Sequence, residues 1–306
     1  MDRMEITQSS KNKLGMPLVG YGTYQISKEE SEQSVKLALE SGFRHIDSAE
    51  AYNNEEGTGA AIKKSGIARD EIFITTKVFP GNKLWGMQEK NYEDTLNTLK
   101  SQLQLLNLDY VDLYLIHAPL SELRLEQWRA LVELKKMGLT KHIGVSNYDE
   151  IRIREILDAG MDKPETNQIE FHPLCAQVKV TEFMKQNGIE PIAYSSLAPL
   201  SDWRKEEGQG GGVLSEKKEK AQSLIHTISK DLNVSEAKLL LRWALQKGYA
   251  ILTKSTKEKR MKENFDLFSF SIPEKEMAQL DGLNLGQAFA WAANGLNPME
   301  VAPPLK

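Results

Sequence analysis

The chain has 306 residues, 40% of them hydrophobic and 27% charged, which is enough apolar material for a sizeable core. Its formal net charge of −4 argues against a nucleic-acid-binding protein, because such proteins carry a clustered basic face. The single cysteine, Cys175, excludes an internal disulfide and fits a reducing compartment.

The first residues, 1–13, are charged and polar and have none of the apolar character of a signal peptide. No apolar run approaches the ~20 residues that a membrane-spanning helix needs. We therefore expect a soluble cytoplasmic protein with one domain over residues 1–306.

Short apolar, β-branched segments recur along the chain, and most are followed by a longer segment with helical periodicity. The predicted strands are LVGYG (18–22), RHIDS (44–48), IFITTKV (72–78), YVDLYLIH (110–117), KHIGVSN (141–147), ETNQIEF (165–171), EPIAYSS (190–196) and YAILTKS (249–255). Segments 28–42 and 91–108 have the apolar spacing of amphipathic helices. Strands joined by helical crossovers are parallel neighbours, and eight such units predict an α/β protein with a closed (β/α)8 TIM barrel.

A doubly wound sheet is the alternative fold, and it would carry a G-x-G-x-x-G turn after an early strand. The segment VGYGTYQ (19–25) has only the first half of that pattern, so we favour the barrel. Residues 201–220 are polar and include three consecutive glycines, which predicts a mobile loop. The C-terminal segment from 284 carries Phe289 and Trp291, which either pack outside the barrel or fold over its mouth as a substrate loop.

Polar side chains stand at the ends of three neighbouring predicted strands, on the side where barrel enzymes have their active sites. They are Asp47, Tyr52, Lys77 and His117. A free tyrosine has a pKa of about 10, and an adjacent cation such as Lys77 would lower that pKa. Asp47 would keep Lys77 charged, and His117 would hydrogen-bond the substrate oxygen, which predicts a general acid for carbonyl reduction.

Simpler interpretations of these residues stay open at this point. Unrelated polar side chains also occur at strand ends, and Lys77 alone would suit a Schiff base with a carbonyl substrate. We interpret His45 as a structural histidine, and Glu55 and Glu56 as the acidic start of a helix. The sequence has no H-E-x-x-H motif or cysteine cluster for a metal and no G-x-S-x-G elbow of a hydrolase.

A phosphate site is predicted where the eighth strand leads into a helix, at residues 251–268. Ser255 or Thr256 would cap that helix, whose N-terminus attracts an anion. Lys254 and Arg260 add two cations that suit a phosphomonoester. The simpler interpretation is a solvated basic helix start.

Ends of three other strands supply groups that suit a flat amide-bearing ring. Ser146, Asn147 and Gln168 are uncharged hydrogen-bonding residues, and the ring of Tyr194 would stack on an aromatic ligand. Amide, ring and phosphate recognition together predict a nicotinamide dinucleotide phosphate.

Six segments, in this order and spacing, resemble the aldo-keto reductase family along most of the chain. They are GFRHIDSAEAYNNEEGTGAAI, LDYVDLYLIHAP, KHIGVSNY, NQIEFHP, IAYSSLAPL and LTKSTKEKRMKEN. The resemblance implies a (β/α)8 barrel that reduces carbonyl compounds with NADPH and is mostly monomeric. It also implies that Tyr52 donates the proton, that Lys77 and Asp47 tune it, and that His117 orients the carbonyl.

The resemblance further implies which residues bind the cofactor. They are Thr23, Tyr24, Asp47, Ser146, Asn147, Gln168, Tyr194, Ser195, Leu197, Lys254, Ser255, Thr256, Arg260, Glu263 and Asn264. Among them, Ser195 and Leu197 would line the pyrophosphate passage, and the group from Lys254 to Arg260 would hold the 2′-phosphate.

The substrate is expected among aromatic side chains, with aldehydes and bulky or vicinal-dicarbonyl ketones as candidates. The expected substrate contacts are Tyr24, Tyr52, Trp85, His117 and Trp291. Two other functions remain open: a regulatory subunit that binds NADPH and turns over slowly, and a lyase that uses Lys77 as a Schiff base.

Overall fold

Eight parallel strands form a closed barrel in the computed structural model, which describes residues 10–202, 213–291 and 297–305. The strands are β1 (Val19–Gly22), β2 (His45–Asp47), β3 (Phe73–Val78), β4 (Val111–Ile116), β5 (Thr140–Ser146), β6 (Thr166–Glu170), β7 (Glu190–Tyr194) and β8 (Ala250–Thr253). Each strand pairs with the next, and β8 pairs with β1. The predicted (β/α)8 TIM barrel is confirmed, and each predicted strand end lies within two residues of the observed one.

Helices follow every strand and surround the barrel. In the described ranges they are α1 (Lys28–Glu40), α2 (Glu55–Lys64), α3 (Tyr92–Leu106), α4 (Arg124–Lys136), α5 (Glu150–Asp158), α6 (Val178–Asn187), α7 (Val213–Asp231), α8 (Glu236–Gln246), α9 (Glu258–Phe265) and α10 (Glu274–Asp281). Local caps define several starts: the Ser27 hydroxyl accepts from Glu30 N, and Asn91 forms a capping box with Asp94.

The mobile loop predicted for residues 201–220 is wrong in its last part. Residues 213–220 belong to α7, because the segment after the glycines lacks Gly and Pro and is rich in helix-forming Glu and Lys. Residues 203–212, which include the glycine run, lie outside the described ranges.

Side chains alternate between the inside of the barrel and the surrounding helices, as the period of two in a strand requires. Away from the C-terminal ends of the strands, the interior holds an apolar cluster. Its buried members are Met16, Phe73, Leu113, Leu115, Ile192, Ala250 and Leu252. Towards the C-terminal ends of the strands the inward positions become polar, with Asp47, Lys77 and Gln168. This change along the barrel axis gathers the charged side chains Asp47 and Lys77 at one end of the interior.

His45 fills the interior beside a glycine. A Cβ atom at Gly20 would lie 2.5 Å from Nδ1 of His45, so only glycine fits opposite this imidazole. The imidazole is completely buried, its Nε2 lies 3.0 Å from the Thr75 hydroxyl, and burial lowers the pKa of His45 to about 4. These contacts agree with the structural role that we predicted for His45.

No helix in the described part of the chain is long and apolar enough to cross a membrane.

Candidate active site

A cavity of about 520 Å³ opens at the C-terminal ends of the strands. Residues from all eight strands or the loops after them line it, and further residues come from the C-terminal segment. The residues predicted from the sequence that line it are Tyr24, Asp47, Tyr52, Trp85, His117, Ser146, Asn147, Gln168, Tyr194, Ser195, Leu197, Lys254 and Trp291. The predicted groups thus converge on one site.

Lys77 and Asp47 form a buried ion pair beneath this cavity. Nζ of Lys77 donates to Oδ1 of Asp47 at 2.5 Å and to the backbone oxygen of Ser48 at 2.7 Å. Oδ2 of Asp47 accepts from Nε2 of Gln168 at 2.8 Å. Lys77 is fully buried and does not line the cavity, so its geometry disfavours direct attack on a carbonyl there.

Tyr52 and His117 stand side by side in the cavity. The Tyr52 hydroxyl lies 3.5 Å from Nε2 of His117, and the Lys77 ammonium lies 5.2 Å from the centroid of the Tyr52 ring. Burial, with a smaller effect of nearby Lys77, lowers the pKa of His117 well below its ordinary 6.5, so the imidazole is neutral at pH 7.

The pKa of Tyr52 differs in direction from our expectation. Burial, followed by the neighbouring Asp47 and Tyr24, raises the pKa of Tyr52 well above its ordinary value of 10.0. The Lys77 ammonium faces the ring, but the Asp47 carboxylate beside it balances its charge, so its effect on the pKa of Tyr52 is smaller than that of the loss of water around the hydroxyl. Tyr52 is therefore a protonated phenol at neutral pH.

Residues in the C-terminal halves of β5, β6 and β7, or directly after these strands, form a connected polar wall. The Ser146 hydroxyl donates to the backbone oxygen of Gln168 at 2.8 Å, and Nδ2 of Asn147 donates to the backbone oxygen of His117 at 2.9 Å. The Tyr194 hydroxyl donates to Oδ1 of Asn147 at 2.5 Å. Asn147 and Ser195 have φ of 60° and 54°, so both bends use the left-handed region that non-glycine residues seldom adopt.

Some predicted cofactor residues do not line the cavity. They are Thr23, Ser255, Thr256, Arg260, Glu263 and Asn264. The Thr23 hydroxyl is buried within hydrogen-bonding distance of Asp47 O and Asn54 Oδ1, and the amide of Asn264 donates to Thr253. The exposed side chains of Lys254, Thr256 and Arg260 lie on the segment that leads into α9 and on its first turn.

The predicted helix cap is wrong. The residue that precedes α9 as its cap is Lys257, which makes no side-chain capping bond. The Ser255 hydroxyl instead accepts from Lys257 N at 3.0 Å, in a turn that ends before the helix begins. A short hydroxyl side chain bonds the backbone two residues on as readily as it caps a helix, and the sequence does not separate the two outcomes.

Aromatic side chains form the outer wall. The ring centroids of Tyr24 and Tyr52 are 5.2 Å apart, and those of His117 and Trp291 are 5.9 Å apart. The C-terminal segment therefore reaches over the barrel mouth, one of the two positions that we considered. Phe79, 6.4 Å from the His117 ring, also lines the cavity. We did not predict it, although its position directly after β3 was an available signal.

The acidic residues around Tyr52 have separate roles. Residues Glu50–Tyr52 form one turn of 3₁₀ helix, the turn of Tyr52. Glu50 accepts from Phe79 N at 2.7 Å and pairs with Lys90 Nζ at 2.9 Å, which connects this turn to the end of β3. Glu55 and Glu56 begin α2, as predicted. However, Glu55 is also buried, and its Oε1 accepts from Thr76 and Gln102 at 2.6 and 2.9 Å.

Within the described ranges, no group of three or more His, Cys, Asp or Glu side chains is arranged to hold a metal ion.

The chain is similar to known proteins along most of its length. The model of the Aldo/keto reductase family matches residues 13–285. The chain is 39% identical over 291 residues to a protein named glyoxal reductase from Bacillus subtilis (strain 168), covering 95% of both chains. It is 38% identical over 275 residues to a methylglyoxal reductase from Yersinia pestis, covering 89% of this chain and 90% of that relative.

Solved structures give the same result. An aldo/keto reductase from Brucella melitensis superimposes with a TM-score of 0.75 at 37% identity, covering 88% of this chain and 95% of that one. An aldo-keto reductase from Bombyx mori, solved in complex with NADP, superimposes with a TM-score of 0.77 at 28% identity, covering 89% of this chain and 91% of that one.

Proposed function

The chain belongs to the aldo/keto reductase family, and we propose that it reduces aldehydes and ketones to alcohols with NADPH, using Tyr52 as the proton donor. The observation that carries this proposal is the pair of Tyr52 and His117, 3.5 Å apart at the base of the cavity above the buried Lys77–Asp47 pair. A phenol and a neutral imidazole are both suited to hydrogen-bond a carbonyl oxygen.

The proton transfer follows from these contacts. NADPH, when bound, supplies a hydride to the carbonyl carbon. The Tyr52 hydroxyl gives its proton to the carbonyl oxygen, and His117 holds that oxygen in place through Nε2. The tyrosinate that forms is stabilised by the Lys77 ammonium, 5.2 Å from the ring centroid, and Asp47 keeps that ammonium charged.

The residues around the cavity fit a nicotinamide dinucleotide phosphate. Ser146, Asn147 and Gln168 offer the donors and acceptors that a carboxamide needs, and Tyr194 presents a ring beside them. Lys254 and Arg260 are exposed near the start of α9, where two cations suit the 2′-phosphate.

The aromatic wall of the cavity and the names of two similar proteins suggest which carbonyl compounds are substrates. Tyr24, Phe79, Trp85 and Trp291 line the cavity together with Tyr52, and their rings accept uncharged carbonyl compounds more readily than charged ones. Two of the similar proteins are named glyoxal and methylglyoxal reductases. We therefore propose small vicinal-dicarbonyl aldehydes as the first substrates to test.

The test is NADPH oxidation by the purified protein with a panel of aldehydes, dicarbonyls, sugars and bulky ketones, together with NADPH affinity measured by fluorescence titration. Rapid turnover on one class supports the proposal. Tight NADPH binding without turnover on any carbonyl would replace it with the regulatory-subunit alternative. Trapping of a substrate on Lys77 by borohydride would support the lyase alternative.

A further inference from the structure

Glu170, the last residue of β6, is a buried carboxylate that the proposed chemistry does not use. Its side chain points to the same side of the strand as that of Gln168, since the two residues are two apart, and only 2% of Glu170 is exposed. Burying a carboxylate is unfavourable in free energy unless its oxygens are hydrogen-bonded. The hydrogen-bonding partners of Glu170 therefore indicate its role.

Those partners come mainly from the tail segment, which we define as residues 288–291. Oε1 of Glu170 accepts from Phe289 N at 2.6 Å, and Oε2 accepts from Ala290 N at 3.0 Å. Nε2 of His172 lies 2.8 Å from Oε1, and its ring stands 5.6 Å from that of Phe289. Both carboxylate oxygens therefore hold the backbone of the tail segment at the barrel mouth.

The tail segment carries part of the cavity wall. Ala290 and Trp291 both line the cavity, and the Trp291 ring meets that of His117 edge-on at 5.9 Å. One residue of the tail segment thus contacts the imidazole proposed to orient the carbonyl, in the cavity that Tyr194 also lines.

We propose that Glu170 is a positioning residue that sets carbonyl-substrate recognition by holding Trp291 against His117. Phe289, which is 2% exposed, anchors the near end of the tail segment in the fold, and Glu170 fixes the backbone between that anchor and Trp291. The inference rests on the proposed function, because it names what shapes the substrate side of that site. Glu170 acts through the tail segment and does not itself line the cavity.

The kinetic test uses Glu170→Gln, Trp291→Ala and the double variant. A glutamine places an NH₂ group against one of two backbone N–H donors, so the tail segment loses a charge-assisted bond. We expect Glu170→Gln to raise KM for the carbonyl about tenfold, with kcat and NADPH affinity changed much less. The double variant should match Trp291→Ala, because Glu170 acts through Trp291. Effects that multiply in the double variant, or an unchanged KM in Glu170→Gln, would overturn the proposal.

A second variant covers the case in which Glu170→Gln fails to fold. Ala290→Pro removes the N–H that donates to Oε2 and leaves the buried carboxylate intact. It should raise KM in the same direction, and a wild-type KM would contradict the role of the tail segment.

A readout without turnover separates this inference from the proposed function. Acrylamide quenching assigned to Trp291, taken as the difference between each protein and its Trp291→Phe counterpart, should increase in Glu170→Gln. Glu55→Gln is the matched control, since it changes a carboxylate that is equally buried but bonded to Thr76 and Gln102. Equal quenching in Glu170→Gln and wild type would overturn the positioning role even if the wild type reduced no carbonyl.

Discussion

The Lys77 ammonium and the Asp47 carboxylate lie 2.5 Å apart, with side chains 0% and 3% exposed. An ion pair so far from water is stable only as a pair, because each charge alone would lack solvation. Burial lowers the pKa of Lys77, and the charge of Asp47 acts against that shift. The two strands that carry these residues are adjacent in the barrel, so the pair also links β2 to β3 beneath the cavity.

Breaking this pair should therefore destabilise the protein. We expect Asp47→Asn or Lys77→Met each to lower the free energy of unfolding by about 3–5 kcal/mol, since each leaves one buried group without its partner. The double variant should recover part of that loss, because no unpaired charge remains. Urea unfolding measures all three, and additive losses in the double variant would contradict the account.

Cofactor choice should depend on Lys254 and Arg260. Charge-assisted hydrogen bonds contribute roughly 1.5–3 kcal/mol each, so Lys254→Ala with Arg260→Ala should weaken NADPH binding more than tenfold and NADH binding little. Titration of protein fluorescence with each cofactor measures this difference. Lys275→Ala, a change of a lysine exposed on α10, serves as the control. Equal losses for NADPH and NADH would reject the assignment of the 2′-phosphate.

His45 should make stability sensitive to mild acid. Its pKa is lowered from 6.5 to about 4 in the fold, so between these values the unfolded chain binds a proton that the folded chain does not. The free energy of unfolding then falls as the pH falls, by up to about 3 kcal/mol for this one group. The lowered pKa of His117 acts in the same direction.

The measurement is urea unfolding of wild type and His45→Gln at pH 7.5 and pH 4.5. The variant should lose less stability between the two pH values, because it lacks the His45 imidazole, which is neutral in the fold and takes up a proton on unfolding. Identical losses in both proteins would show that the burial of His45 has no such effect.

Glu50 should influence turnover through the position of Tyr52. The Glu50 carboxylate accepts from Phe79 N, and its partner Lys90 donates to Phe79 O at 2.8 Å, so the pair holds both backbone groups of Phe79. Glu50→Ala should lower kcat several-fold by releasing the turn of Tyr52. Glu50→Gln should retain more activity, because it keeps an acceptor for Phe79 N.

The matched control for Glu50 is Glu32→Ala. That change removes an exposed ion pair between Glu32 and Lys64, which contributes at most about 1 kcal/mol of stability and lies on α1 and α2. Its kcat should equal that of wild type. A wild-type kcat in Glu50→Ala as well would show that the turn of Tyr52 holds its position without Glu50.

The pattern of strands was enough to predict the barrel, and the polar residues at strand ends were enough to predict the central residues of the candidate site. Asp47, Tyr52, Lys77 and His117 could be found because parallel neighbours bring their C-terminal ends to one rim. The period of two along each strand then decides which side chains point inward.

Other features depend on tertiary contacts that leave no local pattern. The raised pKa of Tyr52 reflects how much water the fold removes, which spacing does not express. Glu50 and Glu170 look like ordinary surface carboxylates in the sequence, and only the fold brings Phe79 N and Phe289 N to them. Lys257 precedes α9 although Ser255 and Thr256 have better capping side chains, because the chain bends once more before the helix.

The most direct test of Tyr52 as the proton donor is carbonyl-dependent NADPH oxidation by wild type and by Tyr52→Phe, with NADPH affinity measured on both. We expect turnover of a small dicarbonyl aldehyde by wild type and a loss of several hundred-fold or more in kcat for Tyr52→Phe, because a general acid contributes about 10²–10⁴ in rate. NADPH affinity should be the same in both proteins. Wild-type turnover in Tyr52→Phe would contradict the assignment of Tyr52 as the proton donor.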